Sequence, residues 1–230
     1  MSQNLEPTPE QQKIQLMVEQ AGGKANPSGW FESLYAAAGN DAAQVPWATL
    51  TPNLYLEDWL EHHLSEGKGQ TALVIGCGLG DDAEALAKRG FSVTAFDISS
   101  TAIAWCQQRF PNSQVNYVVA DLLALEPAWH RRFDFVFESI TIQALPIRVR
   151  CQVMEAIAQL VANSGTLLVI TYTRETDAEP NGPPWPLTEN ELAYFQQLGL
   201  QEIRCDAFSN QESKFGQRLR VEYRFAEIQN

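Results

Sequence analysis

Three glycines spaced two residues apart follow an apolar segment, and this spacing is typical of a turn that holds a nucleotide. Thr71–Ile75 reads as a buried strand, and Gly76, Gly78 and Gly80 come directly after it. Glycine lets the backbone turn tightly and approach a ligand closely, while N–H groups at the start of the next helix point toward that ligand. The pattern predicts a nucleotide-like ligand here, and its alternative is a purely structural turn.

The residue after the last glycine indicates which ligand this is. The dinucleotide fingerprint Gly-x-Gly-x-x-Gly requires glycine at position 81, where this chain has Asp81. A carboxylate there repels a pyrophosphate, whereas S-adenosylmethionine has no phosphate and carries a cationic sulfonium and ammonium. The motif therefore favours S-adenosylmethionine over NAD.

Acidic residues follow the next two predicted strands. Asp97 ends the segment 91–97, about twenty residues after the first glycine, where such folds place a ribose-binding carboxylate. Asp121 follows a strand near 115–120. Because the carboxyl ends of parallel strands meet at one edge of the sheet, both acids are expected in the ligand crevice. The alternative for Asp97 is an N-cap of the helix that begins near residue 99.

Residues 71–139 resemble the cofactor half of the class I S-adenosylmethionine-dependent methyltransferases. In that family the glycine turn lies against the methionine part, the acid after the second strand holds the ribose hydroxyls, and the acid after the third meets the adenine amine. The resemblance implies a set of cofactor-binding residues in the turn and at the strand ends: Gly76, Cys77, Gly78, Gly80, Asp97, Ile98, Asp121 and Leu122. It also implies S-adenosylhomocysteine as the product.

Segments outside that half are similar to the thiopurine, thiol, halide and tellurite methyltransferases. Residues 30–35 and 45–47 resemble the N-terminal signature of this subfamily. Residues 144–150 and 182–188 resemble its Ala-Ile-Pro-Pro-x-x-Arg and Gly-Pro-Pro-aromatic segments. The resemblance implies methyl transfer to a small nucleophile.

The chain departs from the subfamily pattern at two places. Ile147 replaces the second proline, and Ser139 follows Glu138 where thiopurine-methylating relatives have arginine after an acid. These departures argue against a thiopurine acceptor. Glu138, a candidate catalytic residue, is expected to attract the cofactor ammonium or to act as a base, and its alternative is a cap for the next segment. Ser139 and Arg150 are candidate substrate-binding residues, although Arg150 could equally form a surface ion pair.

Four aromatic residues outside the alternating core are expected to converge over the strand ends. Trp30 and Trp47 are candidate cofactor-binding residues, with Trp47 also a catalytic candidate, and Tyr35 and Trp185 are candidates for substrate binding. An aromatic lid would shield the methyl group and stabilise the sulfonium by cation–π contact. The alternative is that these rings only attach the N-terminal segment to the sheet.

The apolar pattern predicts an α/β fold. We expect a doubly wound, Rossmann-like, mostly parallel seven-stranded sheet with an antiparallel last strand and an N-terminal helical cap. The predicted strands are 71–75, 91–96, 115–120, 133–138, 165–172, 200–203 and 218–226, and the predicted core helices are 80–89, 99–109, 146–162 and 188–198. The predicted organisation is a disordered tail 1–8, a cap 9–66 whose second helix Ser28 caps, and a cofactor-binding core 67–230, all in one structural domain.

Composition excludes several classes of partner. The net charge of −12 opposes binding to DNA, RNA and anionic membranes. Neither a signal peptide nor an apolar span is apparent, so we expect a cytoplasmic protein, with a monomer favoured. Four widely spaced cysteines, and a His62–His63 pair whose members point to different helix faces, predict no metal site.

The leading prediction is methyl transfer to a small thiol or other soft anion by in-line displacement, which requires no general base. The closest alternative is an O- or N-methyltransferase that uses Glu138 as its base. A third is a module that binds the cofactor without catalysis.

Overall fold

The structure is a computed structural model that describes residues 9–20, 26–63, 66–176, 180, 183–208 and 216–225. The predicted tail 1–8 lies outside the described residues, as does Gly182.

One mixed sheet organises the core. Its strands are β1 Thr71–Ile75, β2 Ser92–Asp97, β3 Asn116–Val119, β4 Phe133–Ser139, β5 Val161–Thr173, β6 Leu200–Phe208 and β7 Gln217–Phe225. Their order across the sheet is β3-β2-β1-β4-β5-β7-β6. The first five strands pair in parallel, whereas β7 runs antiparallel to both β5 and β6. The predicted α/β fold with an antiparallel last strand is confirmed.

Helices cover both faces of the sheet. They are α1 Pro9–Gln20, α2 Trp30–Ala38, α3 Leu54–His63, α4 Asp81–Lys88, α5 Ser100–Arg109, α6 Thr141–Ala144, α7 Arg150–Leu160, α8 Glu189–Leu192 and α9 Tyr194–Gln197. Successive strand residues alternate between the two layers. Val136 and Leu167 pack with α6, α7 and α9, whereas Phe137 and Leu168 pack with α3, α4 and α5.

The predicted three-helix cap is divided between two sites. Helices α1 and α2 form a separate apolar cluster with α5 and with Leu79 of the glycine turn, whereas α3 belongs to one layer of the sheet. The Glu32 carboxylate of α2 accepts hydrogen bonds from the Ser99 and Thr101 hydroxyls, at 2.7 and 2.5 Å, at the start of α5. The cap is therefore fixed beside the loop that follows β2.

Some element ends differ from the predictions. Gly29, not Ser28, is the N-cap of α2, and because glycine has no side chain it makes no side-chain cap. The segment 146–162 is divided, because Pro146 is extended and a short 3₁₀ turn at 147–149 precedes α7. The segment 188–198 is divided into α8 and α9, with a capping box of Thr188 and Glu191 at its start.

Candidate functional site

The glycine turn requires its glycines for conformation and for packing. Gly76, Gly78 and Gly80 have φ angles of 58°, 54° and 90°, which other residues rarely adopt. A methyl group at Gly76 would lie 2.5 Å from Thr141 Oγ1, and one at Gly80 would lie 2.6 Å from the Tyr117 hydroxyl. The turn is thus closely surrounded by side chains of α6 and β3.

Asp97 connects the end of β2 to the glycine turn. Its carboxylate is buried and accepts hydrogen bonds from the Gly78 N–H at 3.0 Å and from the Ser99 N–H at 2.9 Å. Burial raises the pKa of Asp97 to about 6, although the two amides favour its charged form. The N-cap of α5 is Ser99, whose hydroxyl accepts from the Ala102 N–H. The N-cap alternative for Asp97 is therefore wrong.

The amides of the turn are satisfied inside the protein. The Cys77 N–H donates to the Phe96 carbonyl at 2.9 Å, and the Gly80 N–H donates to the Cys77 carbonyl at 3.0 Å. With the Gly78 amide held by Asp97, these three amides of the turn bond within the protein, because buried N–H groups take the partners that the fold offers. The Cys77 side chain packs into the core layer below the turn.

Asp81 does not present a free charge at the start of α4. Its carboxylate forms a two-point ion pair with Arg109, with both N–O distances 2.8 Å. Because Arg109 neutralises this carboxylate, Asp81 does not repel a pyrophosphate as predicted. Asp81 therefore carries no weight in the choice between S-adenosylmethionine and NAD.

An open crevice lies beside the turn, on the α6 side of the sheet. Four of the predicted cofactor-binding residues line it, namely Gly76, Ile98, Asp121 and Leu122. Asp121 is exposed, and its carboxylate accepts from the Leu123 N–H at 2.9 Å. A crevice thus lies at the edge of the sheet where the ligand is expected.

Sequence reasoning missed other residues that line this crevice, among them Phe31 and Thr141. Phe31 lies within the aromatic segment 30–35, which was the available signal for it. Thr141 follows β4 by two residues and matches no motif.

Glu138 is fully buried near the end of β4, in register with Ile75. Its Oε1 accepts from the Ile142 N–H at 3.0 Å, so the capping role is present, while Oε2 has no hydrogen-bond partner among the described residues. Burial raises the pKa of Glu138 to about 8. Ile140, with a φ of 67°, turns the chain from β4 into α6.

Ser139 faces the opposite layer from Glu138. Its hydroxyl accepts a hydrogen bond from Asn53 Nδ2 at 3.1 Å, and the Asn53 N–H donates to Asp82 Oδ1 at 2.6 Å. Burial raises the pKa of Asp82 to about 6. The start of α3 is thereby joined to the start of α4 and the end of β4. Sequence reasoning missed Asn53, which no motif marks.

Three of the four predicted aromatic residues meet above the glycine turn. Trp30 is buried, its ring stacks on Phe31 at 4.0 Å, and it meets Trp47 edge-on at 5.8 Å. Trp47 is 39% exposed and donates from Nε1 to the Tyr35 hydroxyl at 2.9 Å. Burial and the charge of Asp97 raise the pKa of Tyr35 well above its usual value. In the described part of the chain, Trp30 Nε1 is buried and has no acceptor.

Trp185 is held elsewhere, with Arg150. The backbone N–H of Trp185 donates to the backbone carbonyl of Gln143 at 2.7 Å, and the backbone carbonyl of Trp185 accepts from Arg150 Nη2 at 2.6 Å. Arg150 is buried and also pairs with Glu191 at 2.5 Å. The surface-pair alternative for Arg150 is wrong, because α8 and the loop before it cover the guanidinium. This arginine fixes the Trp185 loop onto α7.

Comparison with known proteins decides the family. Residues 39–225 match the model of the thiopurine S-methyltransferase family. The chain belongs to this family. It is 29% identical over 181 residues to the probable thiol methyltransferase 2 of Arabidopsis thaliana, covering 76% of this chain and 72% of that protein. It is 25% identical over 178 residues to the thiopurine S-methyltransferase of Aliivibrio fischeri, covering 71% and 82%.

Solved structures show the same fold. The N-methyltransferase NodS from Bradyrhizobium japonicum, in complex with S-adenosylhomocysteine, superposes with a TM-score of 0.67 at 21% identity, covering 86% of this chain and 98% of that one. Membership of the thiopurine S-methyltransferase family, together with the two methyltransferase relatives, makes the protein an S-adenosylmethionine-dependent methyltransferase with S-adenosylmethionine as its cofactor.

Among the described residues, no group of histidine, cysteine or acidic side chains is arranged to hold a metal ion. Within the same residues, every helix is too short or too polar to cross a membrane.

Proposed function

We propose that this methyltransferase methylates the sulfur of a small thiol, or another small soft anion. The observation that carries the proposal is the chemistry of the α3 side of the strand edge, which we call the acceptor side. It comprises Asn53, Tyr55, Ser139 and Tyr172. Their amide, hydroxyl and phenol groups do not take a proton from an alcohol or an amine at neutral pH, and the Asp82 carboxylate beside them is engaged by the Asn53 N–H at 2.6 Å. An acceptor that arrives already ionised, such as a thiolate, does not need such a base.

The residues around the turn fit the cofactor. Trp30 Nε1 is a buried donor without an acceptor, and Glu138 Oε2 is a buried acceptor without a donor, among the residues that the structure describes. The methionine part of the cofactor carries a carboxylate and an ammonium, which complement these two groups. We assign the ribose to Asp97 and the adenine to Asp121 and Leu122. When bound, S-adenosylmethionine supplies an electrophilic methyl group.

The protein's own contribution is orientation and the exclusion of water. Asp97 and the Gly78 amide fix the turn before the cofactor binds, so the binding residues are already in place. The Trp47 ring, held by the Tyr35 hydroxyl, covers the turn from the cap side. A covered site keeps water away from the reacting groups and strengthens the attraction between a thiolate and a sulfonium.

A second candidate is an O- or N-methyltransferase with Glu138 as general base. The observation in its favour is that Glu138 Oε2 is unpartnered within the described structure and that the pKa of this carboxyl is raised to about 8. A base with a pKa near the working pH is effective at proton transfer.

The two candidates are separated by assaying wild type and the Glu138→Gln variant at saturating S-adenosylmethionine. The acceptor panel contains 2-mercaptoethanol, iodide, catechol and a primary amine, and S-adenosylhomocysteine formation is followed. With a thiol we expect turnover in both proteins, and a rate that follows ionisation of the thiol itself. Turnover confined to catechol or the amine, and lost in the variant although S-adenosylhomocysteine still binds, would replace the thiol proposal with the base-dependent one. Binding without turnover of any acceptor would indicate a non-catalytic module.

A further inference from the structure

An arginine lies between two tyrosine rings on the acceptor side. Arg218 of β7 is directly opposite Tyr172 of β5 in the antiparallel register. Its guanidinium carbon is 4.3 Å from the centre of the Tyr172 ring and 5.1 Å from that of the Tyr55 ring, and its Nη2 donates to the Tyr172 hydroxyl. The two rings therefore restrain a half-buried cation from both α3 and the sheet.

The charge of this guanidinium is not neutralised by the described residues. Its neighbours on the same face of β7 are paired: Arg220 with Asp58 and Asp206 at 2.7 and 2.9 Å, and Arg224 with Glu222 at 2.7 Å. Within the described ranges, no carboxylate lies within 4.0 Å of the Arg218 guanidinium. The chain as a whole has a net charge of −12 and repels anions. A cation on the acceptor side that has no carboxylate partner among the described residues therefore favours anionic ligands at that place.

Arg218 is connected to the end of β4 through α3. The Tyr55 N–H donates to Asn53 Oδ1 at 3.0 Å, and Asn53 Nδ2 donates to Ser139. Ser139 is in register with Ile170 of β5, so Tyr172 stands two residues beyond it, about 6–7 Å along the strand. A short acceptor could thus place one end near Ser139 and the other near Arg218.

We propose that Arg218 is a substrate-binding residue that recognises a carboxylate on the methyl acceptor. On this assignment, which rests on the proposed function, the preferred acceptors are short aliphatic thiols that carry a carboxylate. A guanidinium presents paired N–H donors that match the two oxygens of a carboxylate. The two tyrosine rings already restrain the Arg218 side chain, so less conformational entropy is lost when a carboxylate binds.

The test uses thiols of similar size and different charge. The anionic thiol is 3-mercaptopropionate, the neutral one is 3-mercapto-1-propanol, and the cationic one is cysteamine. We expect wild type to have a kcat/KM for the anionic thiolate at least about tenfold above that for the neutral thiolate, after correction for thiol ionisation, and lowest for the cationic one. In Arg218→Gln the anionic-to-neutral ratio should fall to near one, and in Arg218→Lys it should be intermediate. The matched control is Arg204→Gln, an exposed arginine on β6, which should keep the wild-type ratio.

A purely structural role for Arg218 predicts a different result. Loss of the contact between α3 and the sheet would lower the melting temperature and would reduce kcat/KM for all three thiols by the same factor. An unchanged ratio in Arg218→Gln overturns the proposal. So does a wild-type enzyme that does not prefer the anionic thiol, and this comparison requires no variant to fold.

Binding measurements separate failure of this inference from failure of the proposed function. Calorimetry with enzyme saturated with S-adenosylhomocysteine measures binding of 3-mercaptopropionate and of 3-mercapto-1-propanol without turnover. If wild type methylates no thiol but binds the anion more tightly in an Arg218-dependent manner, the inference holds and the proposed thiol chemistry fails. If thiols are methylated and both probes bind equally, the inference fails and the proposed function holds.

Discussion

The buried carboxyl of Glu138 should make the stability of the protein depend on pH. Burial raises its pKa from 4.5 to about 8, so the folded state keeps the proton over a range in which the unfolded state has lost it. Below pH 4.5 both states are protonated and the full stability is present. As the pH rises toward 8 the unfolded state ionises first, and stability is lost. Replacing Glu138 by glutamine removes this loss while keeping an oxygen for the Ile142 N–H.

The magnitude follows from the pKa difference. Each pH unit within the window is worth about 1.4 kcal/mol, so between pH 4.5 and 7 the wild type should lose about 3 kcal/mol relative to Glu138→Gln. Asp82 and Asp97, whose pKa values are raised to about 6, shift stability in the same direction. They are present in both proteins, and their contribution cancels in the difference.

The assay is urea unfolding of both proteins at pH 4.5, 5.5, 6.5 and 7.0, followed by circular dichroism. The quantity of interest is the unfolding free energy of the variant minus that of the wild type. Glu61→Gln, an exposed acid on α3, is the control and should show a flat difference. A Glu138→Gln difference that changes by less than 1 kcal/mol over this range would refute the reasoning, since Glu138 would then titrate as if it were exposed.

Other variants test the proposed cofactor site. Binding of S-adenosylmethionine at pH 7 should release a proton from wild type but not from Glu138→Gln, because a cationic ligand favours the ionised carboxylate. Calorimetry in two buffers of different ionisation enthalpy measures the number of protons released, and equal release from both proteins contradicts the prediction. Asp97→Ala should weaken S-adenosylhomocysteine binding by about 1–3 kcal/mol in calorimetry, and an unchanged Kd in a folded variant would remove Asp97 from the site. Gly80→Ala should lower the unfolding free energy by about 1–3 kcal/mol, owing to its φ of 90° and the Tyr117 hydroxyl; equal stability would mean that the turn relaxes. Trp47→Ala should reduce kcat with little change in melting temperature, since the ring is 39% exposed, and full activity would exclude a lid role.

The sequence predicted the elements whose signal is local. Short runs of neighbouring residues specify the strand 71–75, the glycine turn and the acid that ends β2. The structure has each of these features at the predicted place. The partners of the turn were not predictable in the same way. Which amides bond to Asp97 depends on a contact between residues that lie 19 positions apart. Asp81 was misjudged for the same reason, because Arg109 lies 28 positions away.

The acceptor side shows more clearly that contacts between residues far apart in sequence cannot be predicted from local motifs. Asn53 contacts Ser139 across 86 positions, and Arg218 lies on Tyr55 from the far end of the chain. No motif in any one segment marks these residues, since each becomes informative only when α3 packs against the sheet. Arg150 lies in a motif and was therefore a candidate for substrate binding. In the structure its guanidinium pairs with Glu191 of α8, a contact that depends on how α8 packs against α7.

Glu138 and Ser139 are consecutive residues of β4 that face opposite layers, Glu138 toward the proposed cofactor site and Ser139 toward the proposed acceptor side. Side-chain alternation thus separates two binding tasks within a single peptide unit. Changes of acceptor preference can therefore accumulate on the α3 face while the cofactor face stays constant, which is a favourable arrangement for laboratory evolution of new acceptors. A one-residue insertion in β4 would exchange the two faces and should abolish both functions at once, so diversification of this scaffold should proceed by substitution here and by length change only in the loops.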